Sequence, residues 1–108
     1  MKINEVAKML DEYSQQREKN GAQLNNTNLG LLKHCAGEVI EATNAYTRWK
    51  YSDLTDIDFE REAVVEELAD VMACILILCA AENIDVEKAL KQCIAKNQDR
   101  ANGKGVKA

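Results

Sequence analysis

The chain has 108 residues, of which 46% are hydrophobic, 30% are charged and 5% are aromatic, and its formal net charge is −4. This length suits one domain, and the composition excludes a disordered or fibrous chain. The acidic balance disfavours binding to a nucleic-acid duplex, because contacts to phosphates require clustered Lys and Arg.

The chain shows only weak signals for a membrane segment and for zinc binding by cysteine. The first ten residues, "MKINEVAKML", lack the apolar core of a signal peptide. The longest apolar run, Val71 to Ala81, is shorter than the roughly 18 to 20 residues that span a bilayer. No CxxC pair occurs, so free thiols in a reducing cytosol are favoured over zinc ligation at the four cysteines: Cys35, Cys74, Cys79 and Cys93. We therefore expect a cytoplasmic protein without a membrane segment.

The first half of the chain predicts two helices. Apolar residues at three- and four-residue steps predict an amphipathic helix over about residues 2–19. The polar run "NGAQLNNTN" ends that pattern, and Thr27 or Asn28 would cap a second helix over about residues 28–50. The run "YSDLTDID" is rich in turn-forming residues and predicts the next connection.

The second half predicts two more helices, over about residues 58–82 and 86–101, with Asp85 as N-cap of the last. The third helix is apolar nearly all round from Val71 to Ala81, so it must be covered on every side. We therefore expect an all-α four-helix bundle that forms a homodimer or homotetramer through this helix. One domain would span residues 1–108, with a flexible tail at 101–108.

Two stretches place acidic residues at helical spacing inside segments that otherwise suit burial. In "GEVIEA" Glu38 and Glu41 are three residues apart, and in "EELAD" Glu67 and Asp70 have the same spacing. Since successive helical residues turn by about 100°, Glu38 and Glu67 each point to the middle of an apolar stripe. Glu41 and Asp70 each lie about 60° to one side. Burying a carboxylate is unfavourable unless a positive charge or hydrogen bonds offset the loss of water, so the same placement of acids on both helices requires an explanation.

Three structural explanations compete with a functional one. The acids would pair with Lys or Arg, lie at helix edges with hydrated carboxylates, or belong to a helix of different register. One geometry repeated on two helices instead favours a shared divalent cation, which antiparallel packing of the helices would enclose. Mg²⁺ prefers a few carboxylates, with water and phosphate completing its octahedral shell. The single histidine, His34, does not follow a Glu by three residues, which disfavours a di-iron centre.

This ordered set of residues resembles a known family. "GEVIEA" followed by "EELAD" is similar to the E-x-x-E, spacer, E-x-x-D pattern of the MazG-like all-α nucleoside triphosphate pyrophosphohydrolases. "NLGLLKHCAGEVIEATNAYTRWK" resembles the second-helix segment of the shorter members, down to Trp49. "AKNQDR" resembles the basic fourth-helix segment, with Asn97 followed three residues later by Arg100. The resemblance covers about residues 28–100, and Ala101-Asn102 replace a tyrosine-proline frequent in the family.

The resemblance implies an Mg²⁺-dependent enzyme, with Mn²⁺ as a possible substitute. Such an enzyme hydrolyses a nucleoside triphosphate between its α and β phosphorus atoms, giving the monophosphate and pyrophosphate, in house-cleaning of the nucleotide pool. It implies that four acids bind the metal and are catalytic: Glu38, Glu41, Glu67 and Asp70. A carboxylate not fully used in ligation, such as Glu41, would accept the proton of the attacking water.

The resemblance also implies a substrate-binding set made of Lys96, Asn97, Arg100 and Trp49. The fourth-helix residues would meet phosphate oxygens, although cations near a helix C-terminus also suit the helix dipole. The tryptophan would stack on a base, although a core or interface role is equally compatible. A non-catalytic module that binds metal or nucleotide on the same fold is the alternative hypothesis, and a purely structural bundle is the third.

Overall fold

The computed structural model describes residues 2–21, 27–52 and 57–103, with the side chains of residues 57–59 excepted. Over these ranges the chain forms four α-helices and no strand. They are α1 (Ile3–Lys19), α2 (Asn28–Tyr51), α3 (Ile57–Ala81) and α4 (Val86–Ala101). The predicted all-α class is confirmed, and each helix boundary lies within one residue of its predicted position.

Side-chain caps explain why two of the helices begin where they do. The Thr27 hydroxyl accepts a hydrogen bond from the Gly30 amide at 2.9 Å, and the Asp85 carboxylate accepts one from the Lys88 amide at 3.1 Å. Each cap pairs a backbone N–H that has no partner within the helix. The cap on α2 is Thr27, which decides between the two predicted candidates.

A tight turn joins α3 to α4. Asn83 has a φ of 56°, the left-handed conformation that asparagine tolerates better than other residues with a side chain. Its amide donates to the Ala80 carbonyl at 3.1 Å, and the Ile84 amide donates to the Cys79 carbonyl at 2.8 Å. This pattern closes the C-terminus of α3 and lets α4 begin immediately afterwards.

The N-termini of α1 and α4 are tied by one side chain. The Asn4 amide group donates to the Asp85 carboxylate at 2.9 Å, and its oxygen accepts from the Val86 amide at 2.8 Å. Asn4 therefore acts as a second cap on α4, supplied from 81 positions away in the chain. No local sequence pattern signals this contact.

The packing is centred on α3. α2 lies along α3, α1 packs against α3 as well, and α4 packs mainly against α1. Among the described residues, the buried hydrophobic ones are few, and most are small: Ala7, Cys35, Ala42, Ala45, Val64, Ile77 and Val86. Within the predicted apolar stripe of α1, Ala7 is buried but Tyr13 is 62% exposed. No large side chain among the described residues is fully buried, so one chain covers only part of its apolar surface.

Much of that uncovered surface lies on α3. Val65, Leu68, Met72 and Ile75 are each about half exposed, and the last two lie in the part of the helix predicted to need cover. No described helix is both long enough and apolar enough to cross a membrane. Of the predicted tail, residue 101 ends α4 and residues 102–103 form a turn, whereas 104–108 lie outside the described residues.

Candidate metal centre

The acidic residues meet because α2 and α3 form an antiparallel hairpin in a defined register. At one end of the hairpin the Asn28 side chain donates a hydrogen bond to Glu82. At the other end Arg48 forms an ion pair with Glu60, with Nε and Oε2 3.6 Å apart. A register fixed by these two contacts sets Glu38 level with Asp70, and Glu41 level with Glu67.

The four acids form one group, called here the acidic cluster: Glu38, Glu41, Glu67 and Asp70. One carboxylate oxygen from each of Glu38, Glu67 and Asp70 lies within 4.8 Å of the other two. The Glu41 carboxylate lies close enough to Glu38 and Glu67 for its charge to act on both. Since like charges this close oppose ionisation, a cation and a proton compete for this space.

Burial within the acidic cluster follows the predicted angles. Glu38 and Glu67, in the middle of their stripes, are half-buried, whereas Glu41 and Asp70 are exposed. One oxygen of each half-buried acid, Oε2 of Glu38 and Oε2 of Glu67, is fully buried and has no hydrogen-bond partner. A buried acceptor without a partner is unfavourable and is rare in folded proteins.

The electrostatics of the acidic cluster oppose ionisation. Burial, followed by the charge of Glu41, raises the pKa of Glu38 above its ordinary value, and His34 acts in the opposite direction. Burial, followed by the charges of Glu41 and Asp70, raises the pKa of Glu67 as well. Each ionised carboxylate thus destabilises the others, and a nearby positive charge would reverse the effect.

Among the described residues, lysine and arginine do not supply that positive charge. Within residues 2–21, 27–52 and 57–103, no Lys or Arg forms an ion pair with the acidic cluster. The one basic partner there is His34, whose Nε2 lies 3.1 Å from Oε1 of Glu38 and whose side chain is half exposed. The first structural explanation, pairing with Lys or Arg, therefore does not apply to the described residues.

The donor set of the acidic cluster fits a hard divalent cation. Three carboxylate oxygens converge within 4.8 Å, a fourth carboxylate lies beside them, and two buried oxygens lack partners. Mg²⁺ and Mn²⁺ bind oxygen ligands of this kind and retain water in their remaining positions. The exposed carboxylates of Glu41 and Asp70 leave one side of the cluster open to a ligand from solvent.

Two thiols lie beside the acidic cluster. All four cysteines are free, as predicted, although Cys93 is exposed rather than buried. Cys35 on α2 and Cys74 on α3 lie close enough for each thiol to influence the pKa of the other. Burial, together with the charges of Cys35 and Glu38, raises the pKa of Cys74 to about 11, so this thiol is protonated at neutral pH.

The fourth-helix residues lie apart from the acidic cluster in a single chain. Lys96, Asn97 and Arg100 are all exposed, and their helix packs mainly against α1 rather than against α2 or α3. The Asn97 side chain donates to the Cys93 carbonyl at 2.8 Å within its own helix. Their predicted role in phosphate binding therefore stays a prediction.

Trp49 lies on α2 three turns beyond Glu38 and is half-buried. Its ring meets the Tyr46 ring edge to face, with centroids 5.9 Å apart, and the Lys50 ammonium lies 3.7 Å from its centroid. Tyr46 also borders an open apolar groove of about 300 Å³ between α2 and α3, together with Val39 and Leu68. The tryptophan thus stands beside an uncovered apolar surface, and stacking on a base stays a prediction.

Comparison with known proteins identifies the family. The sequence model described as MazG nucleotide pyrophosphohydrolase domain matches residues 23–103, which include the acidic cluster, the apolar groove and α4. A search of curated proteins and a search of solved structures each found no match. Because the matched region covers most of the chain, this protein belongs to the MazG nucleotide pyrophosphohydrolase domain family.

Proposed function

We propose that this chain is a divalent-metal-dependent hydrolase that cleaves a nucleoside triphosphate between its α and β phosphates, releasing the monophosphate and pyrophosphate. The observation that carries the proposal is the acidic cluster: four carboxylates, two buried unpartnered oxygens, and no lysine or arginine partner among the described residues. Membership of a nucleotide pyrophosphohydrolase family supports the reaction class. Since such a reaction removes triphosphates from the pool, we propose a house-cleaning role.

The acidic cluster would hold the cation, for which we propose Mg²⁺ with Mn²⁺ as a substitute. Glu38, Glu67 and Asp70 supply the converging oxygens, and the charge of the exposed Glu41 acts on Glu38 and Glu67. A divalent ion held there would neutralise the triphosphate and lower the pKa of water. Glu41 is the proposed proton acceptor, because it is exposed to solvent and its oxygens are not among the three that converge.

We propose that the triphosphate approaches from the open side, where Glu41 and Asp70 face solvent. Phosphate oxygens would be met by Lys96, Asn97 and Arg100, and the base by Trp49. Because α4 packs mainly against α1 in one chain, these three side chains would reach the substrate through movement of α4 or from a second copy of the chain.

Assembly of identical chains is part of this proposal. The chain exposes 8436 Å² of surface, whereas a compact monomer of 12.1 kDa exposes about 6,000 Å². Part of this excess comes from the exposed apolar residues of α2 and α3, which a second copy of the chain would cover. The radius of gyration of 17.1 Å likewise exceeds the roughly 13 Å of a compact chain of this length.

The exposed apolar residues of α2 and α3 suit a second copy. Leu32, Val39 and Tyr46 follow one another at seven-residue intervals on α2, and Leu68 and Ile75 do so on α3. Seven-residue spacing presents a continuous seam to a partner helix. We therefore propose a homodimer, or a tetramer built from such dimers, in which two α2–α3 hairpins pack together.

Product analysis tests the reaction. The purified protein would be incubated with a panel of ribo- and deoxynucleoside triphosphates, with Mg²⁺ or with a chelator, and the products separated by ion exchange. Monophosphate plus pyrophosphate in the Mg²⁺ samples alone is expected. Glu67→Gln should abolish turnover, and Glu66→Gln, which changes an exposed neighbour outside the cluster, should not.

Other products would contradict the proposal. Diphosphate plus orthophosphate would mean that cleavage occurs between the β and γ phosphates. Binding of Mg²⁺ and nucleotide without any turnover would favour the non-catalytic module on the same fold. Light scattering on the same preparation would test the assembly, for which a monomer at micromolar concentration is the contrary result.

A further inference from the structure

A second group of metal-binding atoms lies beside the acidic cluster. His34 and Glu38 on α2 and Cys74 on α3 each offer one ligand atom, and the three atoms lie within 4.8 Å of one another. His34 and Glu38 are one helical turn apart, which brings Nε2 and Oε1 to 3.1 Å. The hairpin register adds Cys74 from the facing helix. These three residues are called here the mixed site.

The donor types of the mixed site differ from those of the acidic cluster. An imidazole nitrogen, a carboxylate oxygen and a thiol sulfur are ligands for Zn²⁺, with bonds of about 2.0 to 2.3 Å and tetrahedral geometry. Tetrahedral bonds of that length separate the ligand atoms by roughly 3.3 to 3.8 Å, a spacing that small side-chain adjustments would reach from the present limit of 4.8 Å. Mg²⁺ avoids sulfur and prefers oxygen, so donor chemistry separates the two sites.

We propose that His34, Glu38 and Cys74 bind a divalent cation of the Zn²⁺ class, at a site that shares the Glu38 carboxylate with the acidic cluster. Cys74 loses its proton to solvent on binding, and the fourth position is left to water. The half-exposed His34 side chain gives the ion a route from solvent.

Sharing of Glu38 links the two sites. One Glu38 oxygen, Oε1, faces His34, and the other, Oε2, is buried without a hydrogen-bond partner. A cation at the mixed site draws Glu38 toward His34 and Cys74 and so weakens its hold on a cation in the acidic cluster. Zn²⁺ would therefore inhibit Mg²⁺-dependent turnover, a consequence that rests on the proposed hydrolase function.

Cobalt provides a test that requires no nucleotide and no turnover. Co²⁺ replaces Zn²⁺ in such sites, and bonding to a thiolate produces a strong near-ultraviolet charge-transfer band. The full-length protein, held in excess Mg²⁺, would be titrated with Co²⁺ while its absorption is recorded. We expect a band that saturates at one Co²⁺ per chain and is displaced by Zn²⁺.

Matched cysteine variants assign that band. Cys74→Ser should remove it, and Cys93→Ser, which changes an exposed cysteine on α4, should leave it intact. His34→Gln should weaken Co²⁺ binding at least tenfold and serves as the second variant should Cys74→Ser fail to fold. Absence of the band from the wild type, or its persistence in folded Cys74→Ser protein, would overturn the proposal.

Inhibition is then measured separately. The concentration of Zn²⁺ that halves Mg²⁺-dependent turnover should rise at least tenfold in Cys74→Ser and stay unchanged in Cys93→Ser. Equal inhibition of the two variants would refute the link through Glu38. If the protein proves to hydrolyse no triphosphate, the cobalt spectra still decide whether the mixed site exists.

Discussion

Replacement of Glu38 by glutamine should stabilise the metal-free protein. Its carboxylate oxygen lies within 4.8 Å of oxygens from Glu67 and Asp70. Two unit charges at that distance repel by about 0.9 kcal/mol even in water. After allowance for screening by solvent and salt, we expect Glu38→Gln to add about 1 kcal/mol to the free energy of unfolding. That raises the Tm by roughly 4 to 8 °C for a domain of this size.

The order of stability of the wild type and Glu38→Gln should reverse when metal is present. A ligand that binds only the folded state adds about 2.7 kcal/mol of stability at a hundred times its dissociation constant. Wild type should gain this from Mg²⁺ or Mn²⁺, whereas Glu38→Gln, with one carboxylate fewer, should gain much less. Thermal unfolding followed by circular dichroism, in chelator and in saturating metal, measures both effects.

A surface substitution provides the control for this experiment. Glu66 is exposed, adjoins Glu67 in sequence and lies outside the acidic cluster, so Glu66→Gln should change the Tm little under either condition. If Glu38→Gln lowered the Tm in chelator, the carboxylate would serve the fold, and the argument from repulsion would be refuted.

Repulsion within the acidic cluster should also make the stability of the metal-free protein depend on pH. Because the pKa values of Glu38 and Glu67 are raised in the folded state, that state binds more protons than the unfolded chain above the ordinary carboxylate pKa. Stability should therefore fall as pH rises through this window. The slope should be smaller in Glu38→Gln, as denaturant titrations at several pH values would report.

Three further outcomes are expected. Asn4→Ala should lower the stability by about 1 to 2 kcal/mol in denaturant titration, because it removes the second cap of α4. Hydrogen bonds from the Asn4 side chain and the Lys88 amide lower the pKa of Asp85. The stability that the ionised carboxylate contributes is therefore present above its unfolded pKa and should be lost as pH falls below about 4. Acid titration of Asp85→Asn should lack that loss. Leu68→Lys should shift light-scattering mass toward the monomer, and Arg100→Gln should raise KM for the triphosphate more than it lowers kcat.

The helix boundaries were readable from the sequence because local chemistry sets them. Thr27 and Asp85 are strong caps that pair backbone N–H groups close in sequence. The angular positions of the acids were readable for a similar reason, since helical periodicity alone decides which of them point inward. The short connection between α2 and α3 then leaves an antiparallel hairpin as the simple arrangement, which brings the acidic pairs level.

Contacts between residues distant in the chain could not be predicted from the sequence. The pattern of α4 shows which of its faces is apolar, but it does not show that the helix packs on α1 instead of beside the acids. The tie between Asn4 and Asp85 and the meeting of His34 with Cys74 depend on how two helices face each other. Neither pair has a spacing signal in one sequence, and the missing CxxC motif argued against metal binding by cysteine.

Binding of Mn²⁺ followed by electron paramagnetic resonance tests the central claim most directly, because the signal of the free ion disappears when the ion binds to protein. Wild-type protein in excess should quench the signal, and Glu66→Gln should quench it equally. Glu67→Gln and Asp70→Asn, with the helical fold retained, should leave most of the Mn²⁺ free. Undiminished free Mn²⁺ with the wild type, or equal quenching by all four proteins, would contradict the assignment of these carboxylates to a metal.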